Sequence, residues 1–160
     1  MQQQTTSRKR KYQPDLLIAM FRKAAVLRNE MLAAGFTDNG GAIHSAERIL
    51  NILGLQLNYP DLSHISKLRH SRHARFSVEA SKLDASGGRV LIEHVSPIRH
   101  LTQMAIEQLD REVSDAEFKD FVRRHFELVL LSPEETLRLN KHNRSKMHPE
   151  RLKQVGIELR

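Results

Sequence analysis

Two short β-rich runs, Arg89-Val-Leu-Ile-Glu-His-Val95 and Leu128-Val-Leu-Leu131, each stop at a Ser-Pro step, and most of the chain around them has helical period. Such a step ends a strand and opens a helix together: Pro cannot continue a ladder, and Ser followed by Pro suits the N-cap and first turn. This confines the fold to a few short strands framed by helices. The expectation is a mostly helical single α+β domain over residues 14–160 with a small central β element.

The helical portions are legible from spacing. Leu16, Leu17, Met20, Phe21, Ala24, Leu27, Met31 and Leu32 recur on a helical period between Pro14 and Gly35. Thr37-Asp-Asn-Gly-Gly41 then reads as a turn, and Ala46, Ile49, Leu50, Leu53 and Leu57 resume the pattern, so an N-terminal helical hairpin is expected. Asp61 or Ser63 can cap a short helix through Ile65 and Leu68. Further helices are expected after Ser96-Pro97, after the capping-box pattern Ser114-Asp-Ala-Glu117, after Ser132-Pro-Glu-Glu135 and from Pro149. Phe76-Ser-Val-Glu-Ala80 alternates and Asp84-Ala-Ser-Gly-Gly88 reads as a turn, which predicts a β-hairpin joining 76–80 to 89–95. Gly156 to Leu159 reads as a terminal strand or an unstructured end.

Composition narrows the chemistry. With no Cys there is neither a disulfide framework nor a thiolate zinc site, so a metal would have to be held by His, Asp, Glu or Asn. No apolar run approaches the roughly 18–20 residues of a spanning helix, and Arg8 to Lys11 is not followed by the apolar core of a secretory signal. A basic disordered tail over 1–13, a cytoplasmic location and no membrane partner are expected. No Gly-rich phosphate loop follows a strand, and no nucleophile elbow is present.

Charge points to polyanions. Lys and Arg number 26 against 19 Asp and Glu, a net charge of +7, which favours nucleic acid. The excess is concentrated in two segments, one carrying Lys67, Arg69, Arg72 and Arg75 and the other Arg138, Lys141, Arg144 and Lys146. These are candidate contacts to backbone phosphates, which such groups bind whatever the base sequence.

Between the basic segments lies Glu93-His94-Val95-Ser96-Pro97, a carboxylate beside an imidazole at a strand end. Followed by Leu128–Leu131 as a second strand and 132–143 as a helix, this stretch resembles the HNH nucleases of the ββα-metal family. The resemblance covers about fifty residues and implies a metal-dependent endonuclease; of the two nucleic acids, DNA is favoured over RNA as the partner. The resemblance makes His94 the general base, with Glu93 and Asn140 as ligands of Mg²⁺ or Mn²⁺, or of Zn²⁺. The chain departs from the family where an Asn often precedes the second strand and orients the His: Glu127 and His125 stand there. Thr136 replaces the first His of the helix. The competing reading is a non-catalytic nucleic-acid-binding or protein-interaction module, such as a regulator, an antitoxin-like protein or a complex subunit. In that reading Glu93 pairs with an Arg such as Arg75 or Arg89 and His94 is structural.

Overall fold

Helix α1 (Pro14–Ala33) starts on the fixed φ of Pro14 and ends in a left-handed Gly35 at φ 83°. The end is a Schellman closure: Phe36 N–H donates to Met31 C=O at 3.0 Å and Gly35 N–H to Leu32 C=O at 3.1 Å. Helix α2 (Gly40–Asn58) folds back along α1, giving the expected hairpin. The computed structural model describes residues 12–37 and 40–160, so the basic tail up to Lys11 and the turn residues Asp38 and Asn39 lie outside the described residues.

After α2, a 3-10 turn at Ile65–His70 is capped by His64, whose ring accepts from Ser66 N–H at 3.2 Å. Asp61, expected as a cap, instead accepts from Ser71 Oγ at 2.9 Å and from Arg72 N–H at 3.0 Å. The predicted hairpin at 76–95 does not form. Helix α3 (Val78–Ala85) occupies the place of its first strand, because Ser77 Oγ caps Ala80 N–H at 2.9 Å and the helix formers Glu79, Ala80, Lys82 and Leu83 follow.

Strand β1 (Leu91–His94) pairs antiparallel with β2 (Leu128–Leu131), two helices later. Those helices are α4 (Ile98–Asp110) and α5 (Asp115–His125), and β2 leads directly into α6 (Pro133–His142). The capping box read from the sequence is present: Ser132 Oγ accepts from Glu135 N–H at 3.1 Å and Glu135 Oε1 from Ser132 N–H at 2.9 Å. Instead of a regular helix from Pro149, the chain makes a turn and a short 3-10 segment, Lys153–Val155. The other edge of β2 is covered by residues 75–77: Leu130 N–H donates to Arg75 C=O at 2.9 Å, and Ser77 N–H to Leu130 C=O at 3.0 Å. The C-terminal segment is bridged rather than loose, with Val78 N–H on Glu158 C=O and Arg160 N–H on Phe76 C=O, both at 2.9 Å.

All four residues of β2 are buried, which explains an apolar run without alternation. Leu128 and Leu130 enter the main core with Phe21, Leu50, Leu53, Leu101, Phe118 and Phe126. Val129 and Leu131 enter a smaller core with Leu139, Leu152 and Ile157. Period-2 alternation thus sends one strand into two cores. Tyr59, at the end of α2, fixes its start: the phenol oxygen accepts from Leu128 N–H at 2.9 Å and donates to Leu128 C=O at 3.3 Å. Among the described residues no helix is long and apolar enough to cross a membrane.

Candidate functional site

The register His94↔Leu128 and Glu93↔Val129 places the strand-end pair on opposite faces of the sheet. Glu93 faces the smaller core and meets Arg151, whose Nη2 lies 3.6 Å from Glu93 Oε1. Arg151 is only 1% exposed, and its guanidinium is spent on main-chain carbonyls as well. Nε donates to Asn143 C=O at 3.0 Å, Nη1 to His94 C=O at 2.9 Å, and Nη2 to Arg144 C=O at 3.3 Å. These acceptors lie at the end of α6 and at the end of β1. A fully charged side chain is tolerated there because its donors find carbonyl partners. Burial pushes the Glu93 carboxyl above its ordinary range, against the opposing pull of Arg151 and Arg144.

His94 faces the main core. Its Nε2 donates to Asn51 Oδ1 at 2.7 Å, and its ring stands edge-on to Phe126 with centroids 5.5 Å apart. Burial, assisted by the nearby Arg151 charge, lowers its pKa to about 4, so the imidazole is neutral near pH 7. Asn51 was not marked by the sequence; it is one polar side chain between Leu50 and Ile52 on α2. Phe126 can lie close because Gly54 faces it, and a Cβ at Gly54 would collide with the Phe126 ring.

The other residues of the sequence reading are placed apart from this pair. Asn140 is exposed on α6, one residue beyond the buried Leu139. Glu135 is 2% exposed and engaged by Ser132 N–H and by Ser77 Oγ, the latter at 2.5 Å. His142 faces Gln154 at 3.3 Å, His125 packs on Phe121 at 4.7 Å, and Glu127 pairs with Arg75 at 2.5 Å. Among the described residues, no group of three or more His, Asp or Glu is gathered as a metal-holding set. A carboxylate already facing one guanidinium, with Arg144 also acting on it, does not suit a divalent cation as arranged.

One arginine from each basic segment reaches α3. Arg69 pairs with Asp84 at 3.0 Å near the end of α3, and Arg138 reaches Glu79 at 4.0 Å near its start. Arg160 Nη1 donates to Ser81 Oγ at 2.6 Å between them. Beside α3 an open cleft of about 600 Å³ is lined by Glu79, Lys82, Arg89, Ser132 and Glu134. Lys67, Arg72, Lys141, Arg144 and Lys146 are exposed, and among the described residues none has a carboxylate within ion-pair distance. Lys82 and Arg89, outside the two segments read from the sequence, are likewise exposed and without such a partner. Comparison of the chain with protein-family models, with curated proteins and with solved structures returned no match.

Proposed function

We propose that this protein binds nucleic acid through the phosphate backbone, using the basic surface on either side of α3 and acting without catalysis. The observation that carries this reading is the convergence on one eight-residue helix of Arg69 and Arg138, from segments far apart in sequence. A net charge of +7 and exposed lysines that have no carboxylate partner among the described residues supply the electrostatics. Glu93 and His94 are structural in this reading: Arg151 and Asn51 already engage them. DNA is the favoured polymer, and a cytoplasmic location accompanies it.

Fluorescence anisotropy with labelled duplex DNA and RNA, titrated with salt, tests the proposal. Binding whose logarithm falls linearly with the logarithm of salt, weakened by the combined substitution of Lys67, Lys82, Lys141 and Lys146 with Ala, is the expected result. Absence of binding at low salt overturns it.

A metal-dependent endonuclease is the second reading, favoured by the order β1, β2, α6 and by an Asn that holds the His94 ring, here Asn51 rather than a residue preceding β2. It requires Glu93 to exchange Arg151 for a cation. Plasmid nicking with Mg²⁺ or Mn²⁺, lost in His94→Ala, would replace the non-catalytic reading with this one.

A further inference from the structure

Helix α1 buries Leu17, Ile18, Phe21, Ala24 and Ala25, yet its opposite face is also apolar. Leu16, Met20, Val26 and Leu27 are 60%, 44%, 54% and 52% exposed. At helical spacing these four share a sector of about 120° with two charged residues, Lys23 and Glu30. Both are exposed, and among the described residues neither has an ion-pair partner. The charges at the border of the sector are already engaged: Asp15 with Lys119 at 2.7 Å and Arg22 with Asp115 at 2.8 Å, both on α5.

We propose that this face binds the same face of a second copy of the chain, the two α1 helices lying antiparallel about a two-fold axis that passes between Val26 and Leu27. A two-fold interface must be complementary to itself. Lys23 and Glu30 meet that condition, because they carry opposite signs and the midpoint between them falls at the exposed Val26 and Leu27. Reversing one helix sets Lys23 of each copy against Glu30 of the other, giving two equivalent ion pairs. Val26 and Leu27 then pack at the centre, where water is excluded, and Met20 covers the flank. A strongly acidic or basic partner would be matched by one sign of charge on this strip, not by one of each.

Sedimentation equilibrium or light scattering on the full chain should give a mass twice the 18.5 kDa of one copy. Lys23→Glu alone and Glu30→Lys alone each place like charges across the axis and should weaken association roughly tenfold. The double variant Lys23→Glu/Glu30→Lys re-creates both pairs with reversed polarity and should recover the dimer, a response that general loss of solubility or folding would not give. Leu27→Asp should yield monomers with unchanged helical circular dichroism. A wild-type monomer throughout the micromolar range overturns the proposal, as does a dimer indifferent to Leu27→Asp or a double variant that fails to recover.

Discussion

Arg151 reaches Glu93 across 3.6 Å from a position only 1% exposed, and it ties the end of β1 to the end of α6. Removing the guanidinium strands a half-buried carboxylate and frees carbonyls at both ends. Arg151→Ala should therefore cost about 3–5 kcal/mol. Adding Glu93→Gln should recover part of the loss, because no half-buried charge is then left unmatched. Urea denaturation of the two single variants and the double variant measures the coupling.

His94 gives the fold a pH dependence of definite sign. Its pKa is about 4 in the folded chain against 6.5 ordinarily, so between those values the unfolded chain binds more protons. The stabilisation is complete above pH 6.5 and is lost as pH falls toward 4, by up to about 3 kcal/mol. Glu93, raised by burial, acts in the opposite sense: its contribution is present below its ordinary value and declines as pH rises through the raised one. Comparing thermal unfolding of wild type and His94→Gln over this range isolates the His94 component, since Glu93 is common to both. Identical profiles would refute the assignment.

Gly54→Ala sets two effects against each other. Ala gains about 1 kcal/mol of helix propensity. Its Cβ, however, would collide with the Phe126 ring, and forcing apart a packed core costs about 1–3 kcal/mol. Net destabilisation is expected, accompanied by a change in the NMR signal of the His94 ring that Phe126 supports.

Ser77 serves two elements, capping α3 through Ala80 N–H and donating to the buried Glu135 that closes the α6 capping box. Ser77→Ala should cost about 1–3 kcal/mol, more than an exposed cap, because Glu135 also loses a buried donor. Chemical denaturation of Ser77→Ala alongside Ser114→Ala, whose cap is exposed, checks the difference.

Freeing an arginine should strengthen nucleic-acid binding. Asp84→Asn releases Arg69 from its ion pair, and the salt slope should steepen by about 0.9 for one added phosphate contact. Stability should change little, since a partly exposed pair contributes about 0–1 kcal/mol. An unchanged slope would remove Arg69 from the interface.

Helices α1, α2, α4, α5 and α6 were legible because their signals are local. Pro14, Gly35, Ser114 and the Ser132–Glu135 capping box each act within a few residues, and the structure keeps all of them. Strand β2 and its direct passage into α6 were equally plain. The partner of β1 was not legible, since choosing between a neighbouring 76–80 and a distant 128–131 depends on tertiary burial. Alternation at Phe76–Ala80 was too short to outweigh the Ser77 cap. At the strand end, the sequence identified Glu93 and His94 but not what they touch. Asn51 and Arg151 come from elements remote in sequence, and only the folded register brings them there.

Strand β2 is apolar on both faces, so its own side chains carry almost no instruction about which way up it should lie. A one-residue slip would exchange Leu128 and Leu130 for Val129 and Leu131 at little cost in hydrophobicity. The strand pair is keyed by polarity on β1 instead. The equivalent slip of β1 would turn Glu93 toward Phe126 and present His94 to the Arg151 guanidinium, leaving two half-buried polar groups with the wrong neighbours. Adjacent residues of opposite chemical demand thus work as an orientation code for an otherwise symmetrical sheet.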